Sequence, residues 1–113
     1  MESNVNTRLT GMLGFAMRAG RVIIGTDAVC SAMAKRGGDR ARLVLIAKDA
    51  SEGTKKKLLT KAEFYSIEAI ITNIDSSELG RLLGKLYAPA TVAISDDRFA
   101  EEIKKAASLG TKV

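Results

Sequence analysis

The residues best placed to do chemistry lie in the stretch Gly25-Thr26-Asp27-Ala28-Val29-Cys30-Ser31. A short apolar run, Val22-Ile23-Ile24, precedes it, and a helical pattern through Ala32, Met33 and Lys35 follows. Strand, glycine, then helix N-terminus is a geometry suited to anions and hydrogen-bond acceptors. Glycine lets the chain turn tightly and lets a ligand approach the backbone. The first helical turn leaves N–H groups without internal partners, at the positive end of the helix dipole. Thr26 is expected to cap this helix. By itself such a corner is most often a plain strand-to-helix turn, so the rest of the chain must decide what it does.

Other chemistry is sparse. The chain has no histidine, so no Ser–His or Cys–His nucleophilic pair exists. One cysteine, Cys30, leaves no zinc ligand set and reads as a small buried residue. Asp96-Asp97 and Glu101-Glu102 suit the start of a helix better than a cation site. Gly80-Arg81-Leu82-Leu83-Gly84-Lys85 falls within a helical pattern and lacks the spacing of a phosphate-binding loop. Phe15, Phe64, Tyr65, Tyr87 and Phe99 are scattered rather than interleaved with basic residues. That disfavours a stacking platform for single strands and favours recognition of a shaped, partly paired RNA.

Charge points the same way. The 113 residues carry a formal +5 at pH 7, but residues 1–61 hold twelve Lys and Arg against five acids, and residues 62–113 six against eight. A basic half suggests a polyanion, usually nucleic acid. With 46% apolar residues the chain can bury one core, and 1–113 is expected to be one domain with an ordered part at about 7–107. No apolar run is long enough to span a bilayer, no secretory leader is legible, and a lone cysteine forms no internal disulfide. These features predict a cytoplasmic protein with no metal or cofactor.

The elements that must hold the corner can be read in order. Leu9, Met12, Leu13, Ala16 and Met17 share one helical face, with Asn6 or Thr7 as cap and Gly20 as stop. Val22 to Ile24 is a strand, and the helix from Thr26 turns Ala28, Val29, Ala32 and Met33 inward before ending at Lys35-Arg36-Gly37-Gly38. Leu43 to Ala47 is unbroken and apolar, as expected of a strand covered on both faces. Asp49 or Ser51 caps a helix with Lys55-Lys56-Lys57, Leu58, Leu59 and Ala62. A strand over Ile67 to Ile71 leads to a capping-box pattern, Asp75 with Glu78, and a helix burying Leu79, Leu82, Leu83 and Leu86. Thr91 to Ile94 is the last strand. Ser95 or Asp96 caps a final helix burying Phe99, Ile103, Ala106 and Ala107, with a loose tail from Gly110. The alternation predicts an α/β fold with one four-stranded sheet.

Three stretches resemble a known family. Leu43-Val44-Leu45-Ile46-Ala47-Lys48-Asp49-Ala50-Ser51 is similar to the strand and turn of kink-turn RNA-binding ribosomal proteins, the superfamily of the archaeal large-subunit protein L-seven-Ae. Leu13-Gly14-Phe15-Ala16-Met17-Arg18-Ala19-Gly20-Arg21 resembles the opening of its small bacterial members, the YlxQ type. Glu78 to Lys85 resembles a helix of the same family, and the likeness spans about Leu9 to Ile103. It implies a three-layer α/β/α sandwich with a mixed four-stranded sheet. It also implies a non-catalytic protein that binds structured RNA, ribosomal RNA included, with the ribosome or translation factors as further partners.

In that family the strand-to-helix corner reads Gly-x-Asn-Glu-x-x-Lys and meets the sheared G·A pairs of a kinked RNA, while an apolar loop before the last strand covers a flipped-out nucleotide. By position, the corner falls on Gly25, Asp27, Ala28 and Ser31, and the loop on Leu86, Tyr87, Ala88 and Pro89. Only the glycine matches. Asp27 accepts hydrogen bonds but donates none, Ala28 lacks the carboxylate, and Ser31 removes a phosphate-contacting charge. Lys48 returns a positive charge at the same edge. Each good base contact discriminates by about 1–3 kcal/mol, so losing two is expected to lower kink-turn affinity by about a hundredfold or more. The expected site comprises Gly25, Thr26, Asp27, Ala28, Ser31 and the loop Leu86 to Pro89, with Arg18, Arg21, Lys35, Arg36 and Lys48 on phosphate. A second expectation is a protein-interaction module of the translation machinery that kept the fold and lost kink-turn specificity.

Overall fold

A computed structural model describes the backbone of residues 2–111 and the side chains of residues 8–106. The order is α1 (Glu2–Arg18), β1 (Val22–Ile24), α2 (Thr26–Met33), a 3-10 turn (Gly37–Asp39), β2 (Leu43–Ile46), α3 (Glu52–Phe64), β3 (Glu68–Ile71), α4 (Ser76–Leu82), β4 (Thr91–Ile94) and α5 (Asp97–Thr111). The strands form one sheet in the order β1-β4-β2-β3. β2 pairs parallel with β3 and antiparallel with β4, and β4 pairs antiparallel with β1. The sheet is therefore mixed. β1, β2 and β3 run one way, and β4 alone runs back.

Alternation along the strands sorts the core onto two faces. Leu43 and Leu45 of β2, with Val92 and Ile94 of β4, pack under α1, α4 and α5 through Leu9, Leu13, Leu79 and Ile103. Val44, Ile46 and Ala93 pack under α2 and α3 through Val29, Met33, Leu58 and Ala62. This is the three-layer α/β/α sandwich. The central strand β2 is buried at all four positions, as its unbroken apolar sequence requires.

Three helices end in one way. After α1, α3 and α4 the chain enters the left-handed region at Gly20 (φ 71°), Ser66 (φ 58°) and Gly84 (φ 71°). In each case two backbone N–H groups close back on the last turn: Arg21 on Ala16, Ile67 on Ala62 and Lys85 on Gly80, at 2.8–2.9 Å, each with its neighbour one step inside. This paired closure satisfies the helix's last carbonyls and reverses the chain sharply. The first two reversals feed β1 and β3, and the third throws residues 86–88 outward.

The caps were mostly legible. Ser51 accepts from the Thr54 N–H, Asp75 from Glu78 and Asp96 from Phe99. Several expectations need correction. α1 is already helical at Asn6 and Thr7, so neither caps it, and α5 continues through Gly110 to Thr111 where a loose tail was expected. Lys112 and Val113, and the side chain of Ala107, lie outside the described residues. Ala28 is exposed, because the buried stripe of α2 is Val29, Ala32 and Met33. Leu86 is fully exposed, because α4 has ended four residues before it. Cys30 is only half-buried.

Candidate nucleic-acid interface

The sheet register decides which residues meet. β1, β2 and β3 all point their carboxyl ends the same way, toward the start of β4. Ligands of open α/β sheets generally lie beyond strand carboxyl ends. At this end stand Gly25, Lys48 and the loop that precedes Thr91.

Gly25 holds φ 104° and ψ 146°, a conformation that side chains disfavour. It, and not Thr26, is the N-cap of α2, and it brings no side-chain acceptor. Thr26 is instead the first helical residue, its hydroxyl 3.3 Å from that of Thr91. The reason is long-range. The Gly25 N–H donates to the Thr91 carbonyl at 2.9 Å, which fixes the turn and aims Thr26 at the fully buried Thr91. The first-turn N–H groups of α2 are thus left for an outside acceptor. Asp27 and Ala28 are exposed beside them, and Ser31 is exposed one turn further along α2.

The loop reaches the same place by a different support. Leu86 is fully exposed, Tyr87 is 58% exposed and Ala88 is exposed, while Pro89 is buried. Beneath them lies Gly80. A Cβ there would sit 2.1 Å from the Tyr87 carbonyl oxygen and 3.1 Å from Pro89 Cδ. Only glycine lets the loop rest on α4. The loop then runs into β4, where the Ala90 carbonyl accepts from the Ala47 N–H at 2.8 Å, one residue from the exposed Lys48.

Asp49 ties this edge together. Its carboxylate accepts from the Ser76 N–H at 2.8 Å and from the Ser76 hydroxyl at 3.0 Å, bracing the start of α4 against the end of β2. The Ser76 N–H chiefly holds its carboxyl below the ordinary carboxylate value, against a desolvation effect second in size, with lesser help from the Ser76 hydroxyl and the charge of Lys48. Glu78 is lowered chiefly by its bond to Arg81, so the expected capping box closes only on its Asp75 side.

The remaining expected residues lie elsewhere. Arg21 precedes β1 at the opposite end of the sheet, where one of its guanidinium nitrogens donates to the Gly38 carbonyl at 3.4 Å. Arg18 is exposed and stacks over Phe15, 4.9 Å from the ring centre. Lys35 and Arg36 are exposed beyond the far end of α2, about 12 Å along its axis from Gly25. The structure therefore gathers Gly25, Thr26, Asp27, Ala28, Lys48 and residues 86–89, and leaves the other four cations apart. Thr91 and Gly80 were missed. A glycine inside a helical pattern costs about 1 kcal/mol against alanine, so Gly80 did carry a signal that something presses on it.

Comparison with known proteins settles the family. Residues 7–104 match the Ribosomal protein L7Ae/L30e/S12e/Gadd45 family. The chain belongs to this family. It is 37% identical over 93 residues to the RNA-binding protein YlxQ of Bacillus subtilis strain 168, covering 81% of this chain and 87% of that one. It is 31% identical over 106 residues to the RNA-binding protein YlxQ of Enterococcus faecium, with coverage of 93% and 96%. It is also 31% identical over 94 residues to the large ribosomal subunit protein eL30 of Sulfurisphaera tokodaii, covering 80% and 86%. Among solved structures, a Bacillus halodurans protein of unknown function superposes with a TM-score of 0.80 at 28% identity, covering 89% of this chain and 97% of that one. The Giardia lamblia 15.5kD RNA binding protein superposes with a TM-score of 0.70 at 17% identity, covering 94% and 87%, and shares the fold. The α/β/α sandwich is thus the family's L7Ae/L30e fold.

Proposed function

We propose that this chain is a non-catalytic, cytoplasmic RNA-binding protein of ribosomal-protein type, which recognises structured, kink-turn-like RNA through the N-terminus of α2 and the loop before β4. Its partners are structured RNA, ribosomal RNA included, with the ribosome or translation factors beside it. The observation that carries this reading is the meeting of two differently supported pieces at one end of the sheet. The Gly25 corner and the loop over Gly80 are joined through Thr91 and Ala90. Open helix N–H groups suit the acceptor edges and phosphates of a folded RNA. An exposed Leu86 and Tyr87 suit an unstacked base. Lys48 adds charge at the same edge, and relatives of this chain carry the name RNA-binding protein.

A second reading rests on the same exposed loop. Leu86 and Tyr87 form an apolar tip, and with Asp27, Ala28 and Ser31 in the corner the surface also suits a protein partner of the translation machinery. Lys48→Ala tests the RNA reading. Under the RNA reading, affinity for a kink-turn RNA falls, the dependence of log K on log salt flattens by about 1, and the melting temperature stays put. Unchanged RNA affinity removes Lys48 from the site.

A further inference from the structure

The opposite end of the sheet carries four cations in eight residues: Lys35, Arg36, Arg40 and Arg42. Part of their work is structural. One terminal nitrogen of Arg40 donates to the Tyr65 carbonyl at 2.6 Å, and one of Arg42 to the Gly37 carbonyl at 2.9 Å. Both act on chain reversals that follow helices, where cations complement the dipole. These bonds also fix the two guanidinium planes. With the planes fixed, the Nε of each arginine is buried without a hydrogen-bond acceptor among the described residues. Each guanidinium thus keeps hydrogen-bonding capacity that the fold does not use, and guanidinium forks match phosphate oxygens.

Both arginines line a cleft of about 270 Å³ with Ala41, Tyr65, Ser66, Ile67 and Asp97. Among the described residues Asp97 is the one acid that lines it, while Glu68 and Glu101 line an adjoining cleft that shares Arg42 and Asp97. The Asp97 side chain is 81% exposed, and it lies 3.7 Å from Arg42 Nε, too far for a hydrogen bond and close enough for charge attraction. Its exposed carboxylate therefore competes with an incoming anion for Arg42. An aromatic surface adjoins the cleft. The Tyr65 ring meets Phe64 edge-on at 4.9 Å, and Phe64 is 78% exposed. Arginine beside an exposed ring suits a phosphate followed by a base, which favours nucleic acid over an acidic peptide.

We propose that this cleft is a second RNA contact, in which Arg40 and Arg42 hold a backbone phosphate of a single-stranded segment and Phe64 stacks on the adjoining base. The site is separate from the Gly25 corner and rests on the RNA-binding reading only for its choice of ligand. The protein would then bridge two stretches of RNA, a folded one and a single-stranded one, across the length of its sheet.

The test uses the full chain and an oligouridylate too short to span the sheet. Amide NMR signals of Gly37, Arg40 to Arg42 and Tyr65 to Ile67 should move on titration. Arg42→Gln should weaken binding about fivefold and flatten the salt slope by about 1. Asp97→Asn should tighten it about two- to fivefold, since it removes a competing anion from an exposed position. A gain of affinity cannot come from misfolding, so this variant keeps the test decisive. Signals moving only at Gly25, Lys48 and residues 86–89 would place the oligonucleotide at the corner and overturn the proposal, with the corner reading intact. Wild-type affinity in both variants, or equal affinity for an oligoglutamate of matched length, would overturn it too.

Discussion

The two ends of the sheet are built on opposite terms. At the end where β1, β2 and β3 finish, backbone donors are left open. Gly25 caps α2 without a side-chain acceptor, and the loop before β4 projects Leu86 and Tyr87 into solvent. At the other end backbone groups are closed. α1 and α3 finish in hydrogen-bonded reversals at Gly20 and Ser66, and Arg21, Arg40 and Arg42 each donate to a backbone carbonyl there. The same charge type thus serves two purposes. Lys48 stands exposed beside open donors, whereas the arginines first hold the chain and have only part of their hydrogen-bonding capacity left over. A count of basic residues cannot tell these cases apart, because the difference lies in what surrounds each cation.

The contrast breaks most readily at Gly80. Gly80→Ala forces a methyl against the Tyr87 carbonyl, a backbone atom that moves only with the loop. Overpacking of this kind costs about 1–3 kcal/mol. Chemical denaturation should show that loss, and kink-turn affinity should fall about tenfold or more as the loop leaves the corner. Full affinity in this variant would mean that the loop takes no part in binding.

A smaller effect is expected at the closed end. Ser66 holds φ 58° at the end of α3, a left-handed conformation that costs an L-residue about 1–2 kcal/mol. Ser66→Gly should raise stability by up to about 1 kcal/mol after its own entropy is counted, read from the denaturation midpoint. It should leave kink-turn binding as it is.

The smallest effect concerns acid. The bonds from Ser76 keep the Asp49 carboxyl below its ordinary value in the folded chain. Its stabilising contribution is therefore present above the unfolded carboxylate range and lost as pH falls through the folded value. The stability difference between wild type and Asp49→Ala should shrink as pH is lowered through and below that range. A gap that stays constant in acid would show that the Asp49–Ser76 bridge does not depend on the carboxylate charge.

How much of this was legible follows from how far each choice reaches along the chain. The run Leu43 to Ala47 announced a doubly covered strand, and Ser51, Asp75 and Asp96 announced caps, because each depends on neighbours within a few residues. The Thr26 cap failed because Thr91, 65 residues away, holds its hydroxyl. Leu86 was misplaced because the helical period runs past Gly84, where the chain has already turned. Strand direction came from family resemblance, since periodicity does not carry it. Arg40, Arg42, Phe64 and Tyr65 looked unrelated in sequence, and only the packing of α3 against the sheet brings them together.

The most direct test of the central claim is a titration of the full chain against a labelled kink-turn RNA and a straight duplex of matched length, at two salt concentrations. If the Gly25 corner and the loop over Gly80 form one reading surface, the kinked RNA binds more tightly at both salts, and the preference persists at the higher salt, because the phosphate contacts common to both cancel from the ratio. Equal, salt-sensitive binding to the two RNAs would contradict the account. It would reduce that end of the sheet to a generic basic surface.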